Sequence, residues 1–304
     1  MKVSVIVPTY NRAHMVIETV DLILNQTFKD FELIVVDNES TDNTEEVIKS
    51  YTDERIRYFK HQNNGVVAIN RNYGINKAQG QYIAFCDDDD LWIPEKLERQ
   101  MLEFEKDSQV GLICTNAINF DRHGEHGERI KAKLKDSHFT FESLMRGNVI
   151  VGSSVLLKRQ VVDDVGMIDE SPEIFVAEDY ELWLRVAKKY RIKYIDLPLI
   201  KCRIHTDAHG SKYRTHAGAR ESKECIEARE LAKIELNKAV YRKLLNKGII
   251  DSNLYQKRIS RTNRQILIQK LPGYKWVING ASFLKRIFHI IADGMRKTLG
   301  GNRG

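Results

Sequence analysis

Strands and helices alternate through the first 120 residues of this chain, and the strands read as buried on both faces. "VSVIV", "FELIVVD", "IRYFKH", "QYIAFC" and "VGLICTNAINF" are short runs rich in β-branched and aromatic residues. Between them, "HMVIETVDLILNQ", "TEEVIKSY", "VVAINRNYGINKA" and "PEKLERQMLEFEK" repeat apolar residues at helical spacing. Strands without a regular polar alternation need cover on both faces, and helical crossovers place successive strands parallel. The expected fold is α/β: a Rossmann-like, mostly parallel sheet flanked by helices. Ligands of such sheets bind beyond the carboxyl ends of the strands.

Two acidic features fall at such ends. Asp37 follows "ELIVV", and Asp87, Asp88, Asp89 and Asp90 follow "YIAFC". No GxGxxG follows the first strand and no GxxxxGK[ST] occurs, so a dinucleotide dehydrogenase and a P-loop phosphotransferase lose their main support. Four adjacent carboxylates repel. A divalent cation with hard oxygen preference, Mg²⁺ or Mn²⁺, would relieve them, and a solvated acidic turn is the plainer alternative. The apolar strand before the run and "LW" after it favour the cation.

Further along, residues 122–136 are charged and glycine-containing and read as a mobile loop. "GSSVLLKR" reads as a strand, "EDYELWLRVAKKY" as an amphipathic helix with acids first and bases last, and "IKYIDLPLIKCRIH" as extended. From residue 217 the chain reads as mostly helical, with breaks near Gly248 and at Pro272-Gly273. Cys86, Cys114, Cys202 and Cys225 are scattered without a CxxC, which fits small core residues in a reducing compartment. The apolar run at the N-terminus is too short for a signal peptide, and no stretch reaches transmembrane length.

The stretches "VSVIVPTYNR", "FELIVVDNESTDNT", "NNGVVAINRNYGINKAQGQYIAFCDDDDLW" and "EDYELWLRVA" together resemble glycosyltransferase family 2 in order and spacing, over about residues 1–205. The resemblance implies a GT-A fold and an inverting transfer from a nucleotide sugar. It also implies roles, residue by residue. Pro8, Thr9, Tyr10, Asn11 and Arg12 match the loop that wraps the nucleoside, with Asn64 in the same binding set. Asp37 matches the acid that contacts the nucleobase, and a helix-capping role is the alternative. Arg71 matches a basic residue near the base or phosphates, and a salt bridge to the acidic run is equally compatible. Asp87-x-Asp89 matches the DxD motif. Asp89 would ligate Mn²⁺ or Mg²⁺ on the donor diphosphate, while Asp87 and Asp88 would lie near the ribose and sugar. Asp179 matches the catalytic base, although two acids at a helix start are also common stabilisers. His205 sits where many such enzymes carry a histidine near the metal. Trp92, Glu178 and Trp183 would stand on the acceptor side, with core packing an equal reading for the two tryptophans. One departure is "DNES" where the family often reads DDGS. Glu39 replaces a glycine, which predicts an altered turn.

The expected activity moves a hexose or N-acetylhexosamine, most simply from UDP, to a glycan acceptor in surface-polysaccharide synthesis, with a polyprenyl-diphosphate-linked acceptor in view. A degenerate nucleotide-sugar-binding protein is the alternative. A sugar-nucleotide pyrophosphorylase is disfavoured, because the first loop is "PTYNR" and not a glycine-rich basic one.

Charge divides the chain. From residue 241 onward there are 14 Lys/Arg and two acids, so the tail carries +12 and the remainder −6. Residues 1–216 are expected to form the catalytic domain and 217–304 a helical, basic extension. Within it, residues 283–299 place Phe283, Ile287, Phe288 and Ile291 opposite Lys285, Arg286, Arg296 and Lys297. A basic amphipathic helix fits an anionic membrane surface, at the inner face of the cell membrane; packing on the body or a homo-oligomer interface are the alternatives. Nucleic acid is not expected, because no binding motif accompanies the charge.

Overall fold

A computed structural model describes residues 1–130, 137–204 and 223–268, with side chains of the last segment placed from 232 to 262. The chain divides into two compact units, Met1–Asn263 and Arg264–Gly304, and the description below concerns the first. His205, Cys225 as a side chain and the segment 283–299 lie outside the described residues.

The elements run β1 (Val3–Thr9), α1 (Ala13–Leu24), β2 (Phe31–Asp37), α2 (Thr44–Lys49), β3 (Ile56–Lys60), α3 (Val67–Lys77), β4 (Tyr82–Phe85), β5 (Leu91–Trp92) and α4 (Lys96–Lys106). They continue through β6 (Val110–Asp121), β7 (Gly124–Glu128), β8 (His138–Phe139), α5 (Phe141–Leu144), β9 (Leu156–Lys158), α6 (Arg159–Val165), α7 (Glu178–Lys189), β10 (Arg191–Arg203), α8 (Lys223–Asn246) and α9 (Ser252–Ile268). One sheet carries the order β3-β2-β1-β4-β9-β6-β10-β5. It is parallel across β3-β2-β1-β4 and between β6 and β10. The short strand β9 enters antiparallel between β4 and β6. The sheet is thus mixed, and the expected α/β architecture of a large sheet flanked by helices holds.

The two-sided burial read from the strands is real. Val3, Val5 and Val7 of β1 face one core with Val16, Val20 and Ile23 of α1 and Leu97 and Met101 of α4. Ile6 faces the other, with Ala68 and Ile75 of α3 and Leu182, Trp183 and Val186 of α7. Helix α3 lies close on the sheet because Gly74 has no side chain: a Cβ there would meet Ile6 Cγ2 at 2.5 Å. That close approach sets the depth of Arg71 one turn earlier. On the second face, Val240, Tyr241 and Leu244 of α8 join the core, and Tyr241 Oη donates to Met145 O (3.0 Å).

One expectation is corrected here. Residues 122–128, read as part of a mobile loop, form a hairpin in which β7 pairs antiparallel with β6, Asp121 opposite Gly124 and Ile118 opposite Glu128. Every residue of β7 is exposed, so there was no apolar pattern from which to read a strand. Residues 131–136 lie outside the described residues.

Candidate active site

Three loops meet at the carboxyl ends of β1, β2 and β4. The loop after β1 is fastened to the loop after β2: Asn11 N donates to Ser40 Oγ (2.8 Å), and Asn11 Oδ1 accepts from Thr41 N (2.7 Å). Asn11 takes a left-handed φ of 51°. Glu39 also takes a left-handed φ, 55°, so the turn keeps the conformation a glycine would favour, and the altered turn expected from the sequence is not seen. Non-glycine residues pay about 1 kcal/mol or more for such backbone. Ser40 supports it, with N and Oγ both donating to Asp37 Oδ1 at 2.9 and 2.5 Å.

Those bonds correct the reading of Asp37 as a base contact. Its carboxylate is fully buried, Oδ1 is taken by Ser40, and Oδ2 accepts from the Tyr58 hydroxyl. Asp37 holds the turn after β2 and does not cap a helix, since α2 begins at Thr44 with Asn43 at its N-cap. Pro8 is likewise buried in β1, opposite Val36, and offers no open surface. Tyr10 is exposed at 47%, and Asn64 is exposed with φ 51°.

The four aspartates sort by partner. Asp87 Oδ1 accepts from Arg71 Nη2 at 2.7 Å. Asp88 accepts from Thr9 Oγ1 (2.8 Å) and from Arg12 Nη1 (2.8 Å). Asp89 Oδ2 shares the same guanidinium nitrogen at 3.1 Å. Asp90 is buried, with Oδ2 accepting from Ser153 Oγ (2.6 Å) and Oδ1 from Arg203 N (3.2 Å). Burial pushes the Asp88 carboxyl up to about 6 against the pull of Arg12. Asp87 is the most open, with 35% of its side chain exposed. Oxygens of Asp87, Asp89 and Asp90 lie within 4.8 Å of one another. All three are hard carboxylate donors, which suits Mg²⁺ or Mn²⁺. Asp90 spends both oxygens inside the protein, so Asp87 and Asp89 are the pair that fits a cation, with Asp90 as their support.

The second acidic centre is the start of α7. Asp179 Oδ1 accepts from Tyr180 N (2.6 Å) and Asn148 Nδ2 (3.3 Å), while Oδ2 takes no hydrogen bond among the described residues. Burial and the neighbouring Glu178 push the Asp179 carboxyl up to about 7, opposed by Arg71. Arg71 joins the two centres. Its Nη1 donates to Glu178 Oε1 at 2.5 Å and its Nη2 to Asp87. Burial works against its charge, but Asp87, Glu178 and Asp179 outweigh it and hold the guanidinium protonated. Arg71 is 7% exposed and forms the salt bridge to the acidic run that the sequence also allowed.

The acceptor-side expectations are also revised. Glu178 is buried against Arg71. Trp92 is 1% exposed, its Nε1 donates to Ser153 O (3.0 Å), and Lys96 Nζ lies 3.7 Å from its ring centroid. Burial pulls Lys96 down to about 7. Trp183 is core as well, and with Arg71, Gly152 and Asp179 it lines a small internal cavity. Sequence reasoning missed Ser153, Asn148, Tyr58 and Arg203. Each is an ordinary residue whose partner is distant in sequence, and no local pattern marks it.

Residues 4–166 match the sequence model of glycosyl transferase family 2. The chain belongs to glycosyltransferase family 2. It is 32% identical over 221 residues to an uncharacterized glycosyltransferase of Rickettsia felis, covering 70% of this chain and 36% of that one. The chain therefore spans about a third of the length of the Rickettsia relatives it first matches. It is 30% identical over 203 residues to the Escherichia coli UDP-Glc:alpha-D-GlcNAc-diphosphoundecaprenol beta-1,3-glucosyltransferase WfgD, covering 65% and 74% of the two chains. Among solved structures, S. aureus TarS 1–349 in complex with UDP-GlcNAc superposes with a TM-score of 0.64 at 19% identity, covering 86% of this chain and 71% of that 1–349 chain. That likeness establishes the GT-A fold of this family 2 chain.

Proposed function

We propose that this protein is an inverting glycosyltransferase that moves a hexose or N-acetylhexosamine from a UDP-sugar to a glycan acceptor in surface-polysaccharide synthesis. The observation that carries the reading is the pairing of two acidic centres of different character. Asp87 and Asp89 form a cluster suited to a cation at the end of β4. Asp179, with one oxygen uncommitted, stands at the start of α7, and buried Arg71 ties the two together.

Asp87 and Asp89 would hold Mn²⁺ or Mg²⁺, which supplies charge stabilisation for a departing diphosphate when bound. Thr9 and Arg12 hold Asp88 in place and close the donor side. Tyr10, Asn11 and Asn64 border the nucleoside, and Asn38, next to the committed Asp37, takes over the base edge. Its Oδ1 accepts from Asn63 N (2.7 Å), which leaves its amide N–H groups for a uracil carbonyl. Asp179 acts as the base: its carboxylate takes the proton of the acceptor hydroxyl as the hydroxyl oxygen bonds to the anomeric carbon. The bond from that carbon to the diphosphate breaks, UDP leaves, and the single displacement inverts the configuration. A lipid-diphosphate-linked acceptor is the choice suggested by the diphosphoundecaprenol acceptor in the name of WfgD. Residues 1–216 would carry this chemistry and residues 217–304 would serve as the extension.

The test is donor hydrolysis and transfer with a panel of UDP-, GDP- and TDP-sugars. Turnover should appear with one UDP-sugar in the presence of Mn²⁺ and vanish in excess EDTA. Asp89→Asn should cut it about a hundredfold or more with the circular-dichroism spectrum unchanged. Full turnover in EDTA would refute the metal assignment.

No helix among the described residues is long and apolar enough to cross a membrane. Membrane association is proposed through residues 283–299. Truncation after Pro272 should leave donor hydrolysis intact and reduce co-sedimentation with anionic vesicles. Binding of the full chain should weaken as salt rises, because each basic residue contributes about 1 kcal/mol and is screened. Equal pelleting of both chains would assign the segment to the protein's own packing.

A further inference from the structure

We infer that Ser153 is a positioning residue for the aspartate run: its single hydroxyl clamps Asp87 to Asp90 and so sets the spacing of the carboxylates that receive a divalent cation. The inference rests on the metal reading above for its consequence, and on hydrogen bonds alone for its geometry.

Ser153 lies in a single 3-10 turn, Gly152–Ser154, between α5 and β9, more than sixty residues from the run it touches. It is fully buried. Its Oγ donates to Asp90 Oδ2 at 2.6 Å and accepts from Asp87 N at 3.0 Å. One hydroxyl therefore joins the last acid of the run to the first. Asp90 N donates to Asp87 O (3.1 Å), so the clamp closes a turn that is already tight. The arginines around Asp87, Asp89 and Asp90 also oppose the repulsion among them. Arg71 pairs with Asp87, and Arg12 with Asp88 and Asp89, so neither arginine side chain joins Asp87 to Asp90 as Ser153 does.

The clamp is itself rigidly held. Ser153 O accepts from Trp92 Nε1 (3.0 Å), and Ser154 O accepts from Gln100 Nε2 (2.9 Å). Gln100 Nε2 also reaches Ile113 O, and Gln100 Oε1 accepts from Lys96 Nζ (2.9 Å). Trp92, Lys96 and Gln100 thus form a buried frame behind the turn. This explains why a tryptophan, a lysine and a glutamine occupy the core without facing any substrate. The same turn passes the second acidic centre, since a Cβ on Gly152 would lie 3.9 Å from Asp179 Oδ2.

A group that supports a ligating carboxylate through a hydrogen bond typically changes metal affinity by about 10–100-fold when removed. The neighbouring Ser154 supplies the control. It is equally buried in the same turn, but its Oγ donates to Val151 O (2.7 Å) and touches no aspartate. Mn²⁺ binding to the full chain without nucleotide, read by electron paramagnetic resonance, should weaken at least tenfold in Ser153→Ala and stay within twofold in Ser154→Ala. Hydrogen exchange at the Asp87 amide should accelerate at least tenfold in Ser153→Ala only. Equal behaviour of the two variants would reduce Ser153 to a packing residue and overturn the inference. If the wild-type chain takes up no Mn²⁺, the metal reading fails while the Asp87 amide still decides the clamp: unchanged protection in Ser153→Ala refutes it.

Discussion

Asp179→Asn is expected to lower sugar transfer by about a hundredfold to ten-thousandfold while UDP binding and the fold persist. General-base catalysis contributes on that scale, and the amide cannot accept the acceptor hydroxyl's proton at neutral pH. The wild-type protein should also show why this carboxylate is suited to the task. Burial and Glu178 push it up to about 7, against the favourable field of Arg71. A base works ionised, so the wild-type rate should climb with pH through about 7 and level off above it. The residual rate of Asp179→Asn should lack that limb.

The same shift has a consequence for stability with the opposite sign. The folded carboxyl binds its proton more tightly than the unfolded one, whose ordinary value is 3.8. Between those two values the native state holds more protons. Its stabilising contribution is complete below about 3.8 and is lost as pH rises through about 7. Asp179→Asn removes the charge that is costly at alkaline pH. Urea midpoints should therefore show the variant at least as stable as wild type at pH 8, with its advantage disappearing at pH 5. A variant that is inactive because it is unfolded would show the reverse at pH 8. Isothermal titration with UDP completes the test: retained affinity with lost transfer assigns Asp179 to chemistry, and near-wild-type transfer would require another base.

How much of this could be read from the chain depends on the range of the interaction. Strands β1, β2 and β4 were legible because a run such as "VSVIV" can only be buried, and burial is a property of the run itself. Asp179 was singled out by the family resemblance, because an acid at a helix start is by its local pattern as ordinary as any helix-stabilising acid. Partnership was not legible. Four identical aspartates in a row carry no local mark of which one is open, and the distinction comes from Arg71, Thr9, Arg12, Ser153 and Arg203, as many as 113 residues away. Asp37 and Trp92 misled for the complementary reason. An acid after a strand and a tryptophan beside an acidic run suit a binding site, but Tyr58 and Ser40 claim the first and Ser153 and Lys96 the second. The left-handed Glu39 shows the same limit in backbone terms, since its turn is imposed by Asp37 and Ser40 despite the residue's own preference.

Arg71→Gln should be the most destabilising single change in the site, costing about 3–5 kcal/mol. The guanidinium is the buried counterion of Glu178 and the hydrogen-bond donor to Asp87. A buried ion pair need not stabilise a fold relative to apolar packing, but removing one partner leaves the other charged and unsolvated. Glu178 is 5% exposed, so it cannot recover hydration in place. Equilibrium urea unfolding should show the loss as a lowered midpoint with little change in slope. The double variant Arg71→Gln, Glu178→Gln tests the cause. With no buried charge left unpaired on α7, most of the lost stability should return. Transfer should not return with it, because Asp87 would still lack its donor. In the single variant the pH limb of any remaining activity should shift upward, since Glu178 still pushes the Asp179 carboxyl up and the opposing charge of Arg71 is gone. A single variant as stable as wild type would show that Glu178 is neutralised or hydrated by another route. A double variant as active as wild type would mean that the link between the aspartate cluster and the base is dispensable.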